Sequence, residues 1–348
     1  MSTLTHPRVG VVLVNWRGWR DTQLALETLF AGDYLHFDAV VVDNDSGDDS
    51  VEHILAWAQG VEAAVRPTVL EDKVLLRAEQ AAVPYTLFHE HGLETAPAPH
   101  RLTVIQSTRN GGFAAGNNLG IRYLQKQGGY DYFWLLNNDA YPAPDALTQL
   151  VTRASATPNM GLIGSTLVFA DQPDVVQALG GATFEPITGR ARHIGAIFPL
   201  ARLSSVDVIE TERNMAYVVG ASMLVSSRYL EVVGLMREDY FLYFEEIDWA
   251  ERGKPDFRLG YAKDSIVYHK AGGSTQTASR RSAFAAYYLA RNRLVFTRRF
   301  YPDHLSSVFR ALVIETFRYL VRARWNEAKG FGRAVFEGIK PQGSEGRQ

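Results

Sequence analysis

Three short apolar runs, residues 9–14 (VGVVLV), 39–42 (AVVV) and 132–136 (YFWLL), each lead straight into polar residues: Asn15, then Asp43-Asn44-Asp45, then Asn137-Asn138-Asp139. Runs this short, rich in β-branched and aromatic residues and without polar alternation, are strands buried on both faces. Between the first two, residues 21–30 space Leu24, Leu26, Leu29 and Phe30 as a helix would, and residues 48–57 follow with an acidic first turn. Strand, helix and strand in that order predict an α/β domain with a mostly parallel central sheet flanked by helices. Ligands of such sheets bind beyond the carboxyl ends of the strands, so the polar clusters are the first candidates for function.

The pattern continues with a strand at 102–106, a glycine-rich segment at 110–118, and a helix over about 118–127. Residues 60–101 contain Pro67, Pro84, Pro97 and Pro99 with patchy periodicity, and read as an inserted surface element. From about 160 to 235, shorter strands with turn signals at 179–181 (LGG) and 188–190 (TGR) predict a mixed or antiparallel extension of the sheet. Residues 241–252 read as helix and 265–268 as a strand, and the chain is mainly helical after Ser282.

The chain has no cysteine, which excludes disulfides, zinc–thiolate sites, iron–sulfur clusters and cysteine nucleophiles. That suits a reducing cytoplasm. Residues 9–14 are too short for a signal-peptide core. The most apolar later stretch, 305–321, is interrupted by Arg310, Glu315 and Arg318, so no membrane span is expected. The expected location is cytoplasmic. The formal net charge of −2 conceals an asymmetry: residues 280–340 hold thirteen Lys and Arg against four Asp and Glu, a net +9, leaving −11 elsewhere. One end is built to meet something anionic.

Four clusters carry candidate chemistry. Asp43 at a strand end can accept hydrogen bonds from a base N–H or a ribose hydroxyl; Asp43 and Asn44 also suit a simple turn and helix cap. In the glycine-rich segment, Asn110, Gly111, Gly112 and Asn117 let the backbone approach a ligand, with a helix N-terminus for an anion and Arg109 in reach of a base or pyrophosphate. A tight strand–helix turn explains the same glycines. Asp139, after Asn137 and Asn138, can bind a hard cation that bridges phosphates. Glu245, Glu246 and Asp248 lie inside an aromatic run (YFLYFEEIDW), where a carboxyl can have its pKa raised enough to act as a general base. His269 at a strand end suits a metal ligand or a structural histidine.

In this order, VVLVNWRGW, VVVDNDSGDDS, TRNGGFAAGNNLGIRYL, YFWLLNNDAYPAPDAL, VVGASMLVSSRYLEVVGLMREDYFLYFEEIDWAERG and VYHKAGGST resemble the family 2 glycosyltransferases, especially their rhamnosyltransferase-like members. The resemblance implies a GT-A fold, with residues 1–140 as nucleotide-sugar-binding half and 141–282 as acceptor-binding and catalytic half. It implies a helical C-terminal extension at 283–348. It puts Asp43 and Arg109 at the nucleoside with Asn15 nearby, and Asp139 at the last position of the DxD-type metal motif. His269 falls at the second metal-binding position. Glu246 stands where the family has the Asp of its Glu-Asp pair, and Asn137 stands at the first DxD position; both are departures.

The implied reaction is inverting transfer of a sugar from a nucleotide-diphosphate donor, dTDP-rhamnose first and a UDP-sugar such as UDP-galactofuranose next. The acceptor is a glycan or lipid-linked hydroxyl in cell-surface polysaccharide synthesis. Oxygen and imidazole ligands suit Mn2+ or Mg2+. Within 283–340, arginines interleaved with aromatics suit an amphipathic helix on an anionic membrane, or aromatics packed on the domain with solvated arginines. No nucleic-acid motif is present. A nucleotidyltransferase and a non-catalytic glycan-binding scaffold are the rival readings.

Overall fold

The valine-rich runs become a sheet because neither of their faces is polar. In the computed structural model, which describes residues 6–95, 100–270 and 282–339, the first part of the chain alternates strand and helix. It runs β1 (Val9–Asn15), α1 (Trp19–Phe30), β2 (Phe37–Asp43), α2 (Ser50–Ala58), β3 (Tyr85–His89), β4 (Leu102–Gln106), α3 (Gly112–Gln127) and β5 (Tyr132–Leu136). The strands lie side by side as β5-β1-β2-β4-β3, all parallel. Val9, Val11 and Leu13 pack with α1 and α2, while Val12 packs on the α3 side. With both faces covered, the strands need no polar alternation. The pairings Asn15↔Asp43 and Asp43↔Gln106 bring the polar strand ends into line along one edge.

The second part adds β6 (Ala140–Pro142), α4 (Ala146–Ala156), β7 (Met160–Phe169), β8 (Gln172–Leu179), β9 (Gly181–Glu185), β10 (Arg190–His193) and β11 (Phe198–Pro199). There follow α5 (Val208–Asn214), β12 (Tyr217–Val218), β13 (Ser222–Ser226), α6 (Ser227–Val233), α7 (Glu245–Gly253) and β14 (Arg258–His269). β13 lies antiparallel between β5 and β7, and the sheet continues through β8 to β11. β14 runs parallel to β7 and antiparallel to β6. β10, β9 and β12 form a separate three-stranded sheet. The mixed extension expected from the turn signals is therefore present.

Three helices close the described chain: α8 (Ala283–Phe300), α9 (Leu305–Val321) and α10 (Trp325–Ile339). Ala286, Ala290 and Leu294 of α8 pack against Val308 and Leu312 of α9 and Phe331 of α10. Among the described residues, no helix is long and apolar enough to cross a membrane.

Some expected boundaries move. α3 begins at Gly112, a turn and a half before residue 118, so Asn117 and Asn118 are helix-interior residues. α7 begins at Glu245, and the aromatic residues 241–244 stand outside it in an irregular segment. β14 begins at Arg258, before the expected 265. Residues 60–101 are more than a surface insertion: Leu70, Val74 and Val83 are buried in the core with α1 and α2, and β3 is the parallel edge strand beside β4.

That segment is anchored by one buried carboxylate. Glu27 on α1 accepts from Trp57 Nε1 at 2.8 Å and from Arg77 Nη2 at 2.9 Å, with the Arg77 guanidinium 4.8 Å from the Trp57 ring centre. Arg77→Ala leaves this buried charge without its cation and is expected to cost about 3 kcal/mol. The check is a lower urea midpoint at unchanged slope; an unchanged midpoint would show that the pair does not hold the segment.

Candidate active site

The carboxyl edge of β1 and β2 is a chain of buried polar contacts. Asn15 Nδ2 donates to Asp43 Oδ1 at 2.7 Å, and Thr22 Oγ1 donates to Asn15 Oδ1 at 2.8 Å. Asn138 Nδ2 in turn donates to Thr22 Oγ1 at 3.1 Å. Asp43 also accepts from the Ser46 backbone N–H at 3.2 Å, so it caps its own turn. Asn44 Nδ2 donates to Asn110 Oδ1 at 3.0 Å and to the Gly112 carbonyl at 3.1 Å, tying the end of β2 to the glycine-rich loop. Arg109 is exposed and no side-chain partner holds it among the described residues. Asn117, expected at the ligand, is buried and donates to the Phe113 carbonyl at 3.0 Å inside α3.

Asp139 and His269, 130 residues apart, meet because β6 pairs with the end of β14, with Ala140 opposite His269. His269 Nε2 lies 3.2 Å from Asp139 Oδ1. His269 Nδ1 lies 2.9 Å from Gln177 Oε1 on β8. In the tautomer with Nδ1–H donating to Gln177, Nε2 would turn its lone pair toward the carboxylate, the arrangement in which an imidazole can take a cation. The side-chain amide of Asn137 is 3.5 Å from the same Nε2. Oxygen and imidazole together fit Mn2+ or Mg2+. Among the described residues, no third His, Asp or Glu completes a cluster.

The aromatic run supplies the carboxylates through unusual backbone. Phe241, Tyr243 and Phe244 have φ of 67°, 67° and 77°, the left-handed region that bulky residues avoid. Asn292 on α8, fully buried, holds this loop: its Nδ2 lies 2.8, 2.8 and 3.0 Å from the carbonyls of Tyr240, Leu242 and Tyr243. From the other side, Phe113 N–H donates to the Phe241 carbonyl at 3.1 Å. A Cβ at Gly112 would stand 2.1 Å from that oxygen, so only glycine lets the two loops meet. The loop delivers Glu245 and Glu246 into the first turn of α7.

These carboxylates sit in opposite environments. Glu245 is buried, with Oε2 unpartnered among the described residues; burial first, and the neighbouring Glu246 charge second, hold its pKa well above the usual carboxylate range. Burial also raises Glu246, offset in part by its own backbone N–H and that of Gly220. Gly220 makes room for it: a Cβ there would lie 2.5 Å from Glu246 Oε1. Asp248, expected among the candidate bases, is instead fully committed. Its Oδ2 accepts from Tyr240 Oη at 2.8 Å and Arg299 Nη1 at 2.9 Å, and its Oδ1 from Arg252 Nε at 2.9 Å. It locks α7 to α8 and stands outside the cavity lining.

A cavity of about 580 Å3 joins the two centres: Asn137, Asp139 and His269 line one part, Gly220, Glu245 and Glu246 another. Asn15, Asp43 and Arg109 lie outside this lining. Sequence reasoning missed Gln177, Gly220 and Asn292. Gly220 stands within the quoted VVGASM piece without being singled out, Gln177 stands in no recognisable motif, and a lone Asn within the basic, apolar segment YLARNRLVF was the one available trace of Asn292.

The fold defines a class, the GT-A type α/β fold of nucleotide-sugar transferases. Residues 90–193, from just before β4 to the end of β10, match the model of glycosyl transferase family 2. Over 204 residues the chain is 22% identical to the low-salt glycan biosynthesis hexosyltransferase Agl10 of Haloferax volcanii, a match covering 59% of this chain and 62% of that relative. The match thus spans less than two thirds of the relative's length. Among solved structures, the chain resembles the mannosyltransferase PcManGT of Pyrobaculum calidifontis in complex with GDP-Man and Mn2+ (TM-score 0.51, 14% identity, 96% of this chain and 87% of that one). It also resembles S. aureus TarS 1-349 in complex with UDP-GlcNAc (TM-score 0.53, 11% identity, 96% and 82%). GalNAc-T7 with UDP, GalNAc and Mn2+ is similar over 86% of this chain and 55% of that chain (TM-score 0.52, 12% identity). At these identities the likeness is one of fold.

Glu245 gives a direct test of the electrostatics. A carboxyl whose pKa is raised on folding is stabilised in its protonated form, so folding loses stability as pH rises through that value. Glu245→Gln removes this dependence. Its melting temperature is expected to exceed the wild type's by an amount that grows with pH; a gap independent of pH would disprove the raised pKa.

Proposed function

We propose that the chain transfers a hexosyl residue from a nucleotide-diphosphate donor to an acceptor hydroxyl, with inversion at the anomeric carbon. The observation that carries this reading is the cavity shared by the Asp139–His269 pair and Glu246 on a GT-A fold. Asp139 and His269 are the residues that would hold a divalent cation, Mn2+ or Mg2+, which would supply positive charge for the departing diphosphate. Asp43 and Arg109 serve the nucleoside, and the N-terminus of α3 at Gly111 and Gly112 offers backbone N–H groups to phosphate.

Glu246 is the base. A sugar hydroxyl is a poor nucleophile at neutral pH, so a carboxylate must take its proton as the oxygen attacks C1. The C1–O bond to the diphosphate breaks in the same displacement, and the nucleoside diphosphate leaves with the electron pair. A raised pKa makes Glu246 a stronger base than an ordinary glutamate. Asp248 positions α7 through Tyr240, Arg252 and Arg299.

The donor assigned first is dTDP-rhamnose, on the motif likeness to rhamnosyltransferase-like members. The similar structures hold GDP and UDP compounds, so the fold does not select the nucleotide, and a UDP-sugar is the alternative. The acceptor is a glycan or lipid-linked hydroxyl of a surface polysaccharide.

Glu246→Gln is expected to lower kcat by about a hundred- to ten-thousandfold while donor Kd stays unchanged. In the wild type the acid limb of the pH–rate profile should lie above the ordinary glutamate value of about 4.3, rate rising with pH, because burial raises the base. Full activity in Glu246→Gln would sink the assignment. Asp139→Ala should abolish the metal-dependent thermal shift produced by the donor. Release of pyrophosphate in place of a nucleoside diphosphate would assign nucleotidyl transfer instead.

A further inference from the structure

Helix α9 turns one face inward and leaves the other uncovered. Val308, Leu312 and Glu315 are buried against α8 and α10. On the opposite side Val313, Ile314, Phe317, Leu320 and Val321 are 44%, 51%, 66%, 44% and 70% exposed, and Trp325 just beyond the helix is 66% exposed. These positions recur at three- and four-residue spacing, so they form one continuous apolar stripe. Isolated exposed apolar residues are ordinary, whereas a stripe over successive turns marks a contact surface.

The charges around the stripe are of one sign. Arg310, Arg318 and Arg322 are exposed on or beside it. The single acid of α9, Glu315, is buried and spent on Arg293 Nη1 at 3.0 Å and Arg190 Nη2 at 2.8 Å. An apolar stripe edged by arginines, without exposed carboxylates, is complementary to an anionic lipid surface: apolar side chains enter the acyl boundary while guanidinium groups meet headgroup phosphates.

We infer that α9 docks the protein in the plane of an anionic lipid bilayer through this face. The inward side of the same helix gives Glu315 and Tyr319 to the lining of the catalytic cavity. A helix is about 10 Å thick, so docking brings the cavity within a helix diameter of the headgroups. Resting on the glycosyl-transfer reading, this selects an acceptor anchored in the same membrane, whose hydroxyl reaches the cavity without leaving the surface.

The test is flotation of the full chain with vesicles of phosphatidylcholine alone and with added phosphatidylglycerol, at low and high salt. It needs no turnover, so its failure would leave the transferase reading standing. Binding is expected only with the anionic lipid, weakening as salt screens the arginines. The double variant Phe317→Ser/Val321→Ser and the double variant Arg318→Glu/Arg322→Glu should each weaken binding at least about tenfold. All four positions are exposed, so unchanged circular dichroism melting should accompany that loss. Absence of wild-type binding to anionic vesicles overturns the proposal, as does binding that survives the Phe317 and Val321 substitutions. Dimerisation in sedimentation equilibrium that those substitutions abolish, without vesicle binding, overturns it in favour of a second copy covering the face.

Discussion

The site depends on a backbone that by itself would be unfavourable. Holding Phe241, Tyr243 and Phe244 at positive φ costs about 1–3 kcal/mol each. Asn292 offsets this by engaging three carbonyls of the loop, and the Gly112 segment grips it from the other side. Aromatic packing adds to the hold: Phe241 stacks on Tyr288 with ring centres 5.0 Å apart, and Phe244 lies 5.5 Å from Phe296. The result fixes where α7 starts, and hence where two consecutive glutamates point. Helix α8 thereby holds the loop that leads into α7 as well as being the first of the three C-terminal helices.

Three carboxylates within four residues acquire different characters from their surroundings alone. Asp248 meets Tyr240, Arg252 and Arg299, and these hydrogen bonds make it a structural link. Burial raises both Glu245 and Glu246, and the Glu246 charge raises Glu245 further, which favours the proton. The same side-chain chemistry thus yields a lock in one place and carboxyls with raised pKa in another. At the other end of the cavity, Gln177 fixes which nitrogen of His269 faces Asp139. Each reacting group is set by a neighbour that does no chemistry.

Much of the fold was legible because its cause is local. Buried parallel strands need unbroken β-branched runs, and the Asn/Asp residues that follow each run mark the edge where ligands bind. Errors fell where local preference gives way to packing. Gly111 and Gly112 read as loop, yet α3 starts there, because the approach of Phe241 calls for glycine in a helix's first turn. The proline-spaced residues 60–101 read as peripheral, yet Leu70, Val74 and Val83 complete the core beside α2.

By itself the sequence determined the α/β alternation, the polar strand ends and the presence of acids within an aromatic run. These are period and composition, carried by neighbouring residues. The tertiary structure decided which of those acids are free. Asp248 is committed to Tyr240 and Arg252 nearby and to Arg299 of α8, 51 residues away, and this last partner no local reading supplies. It also decided that Asp139 and His269 share a site, since that follows from the register of β6 on β14. Contacts over such separations depend on how strands pair and helices cross, and no local period encodes them.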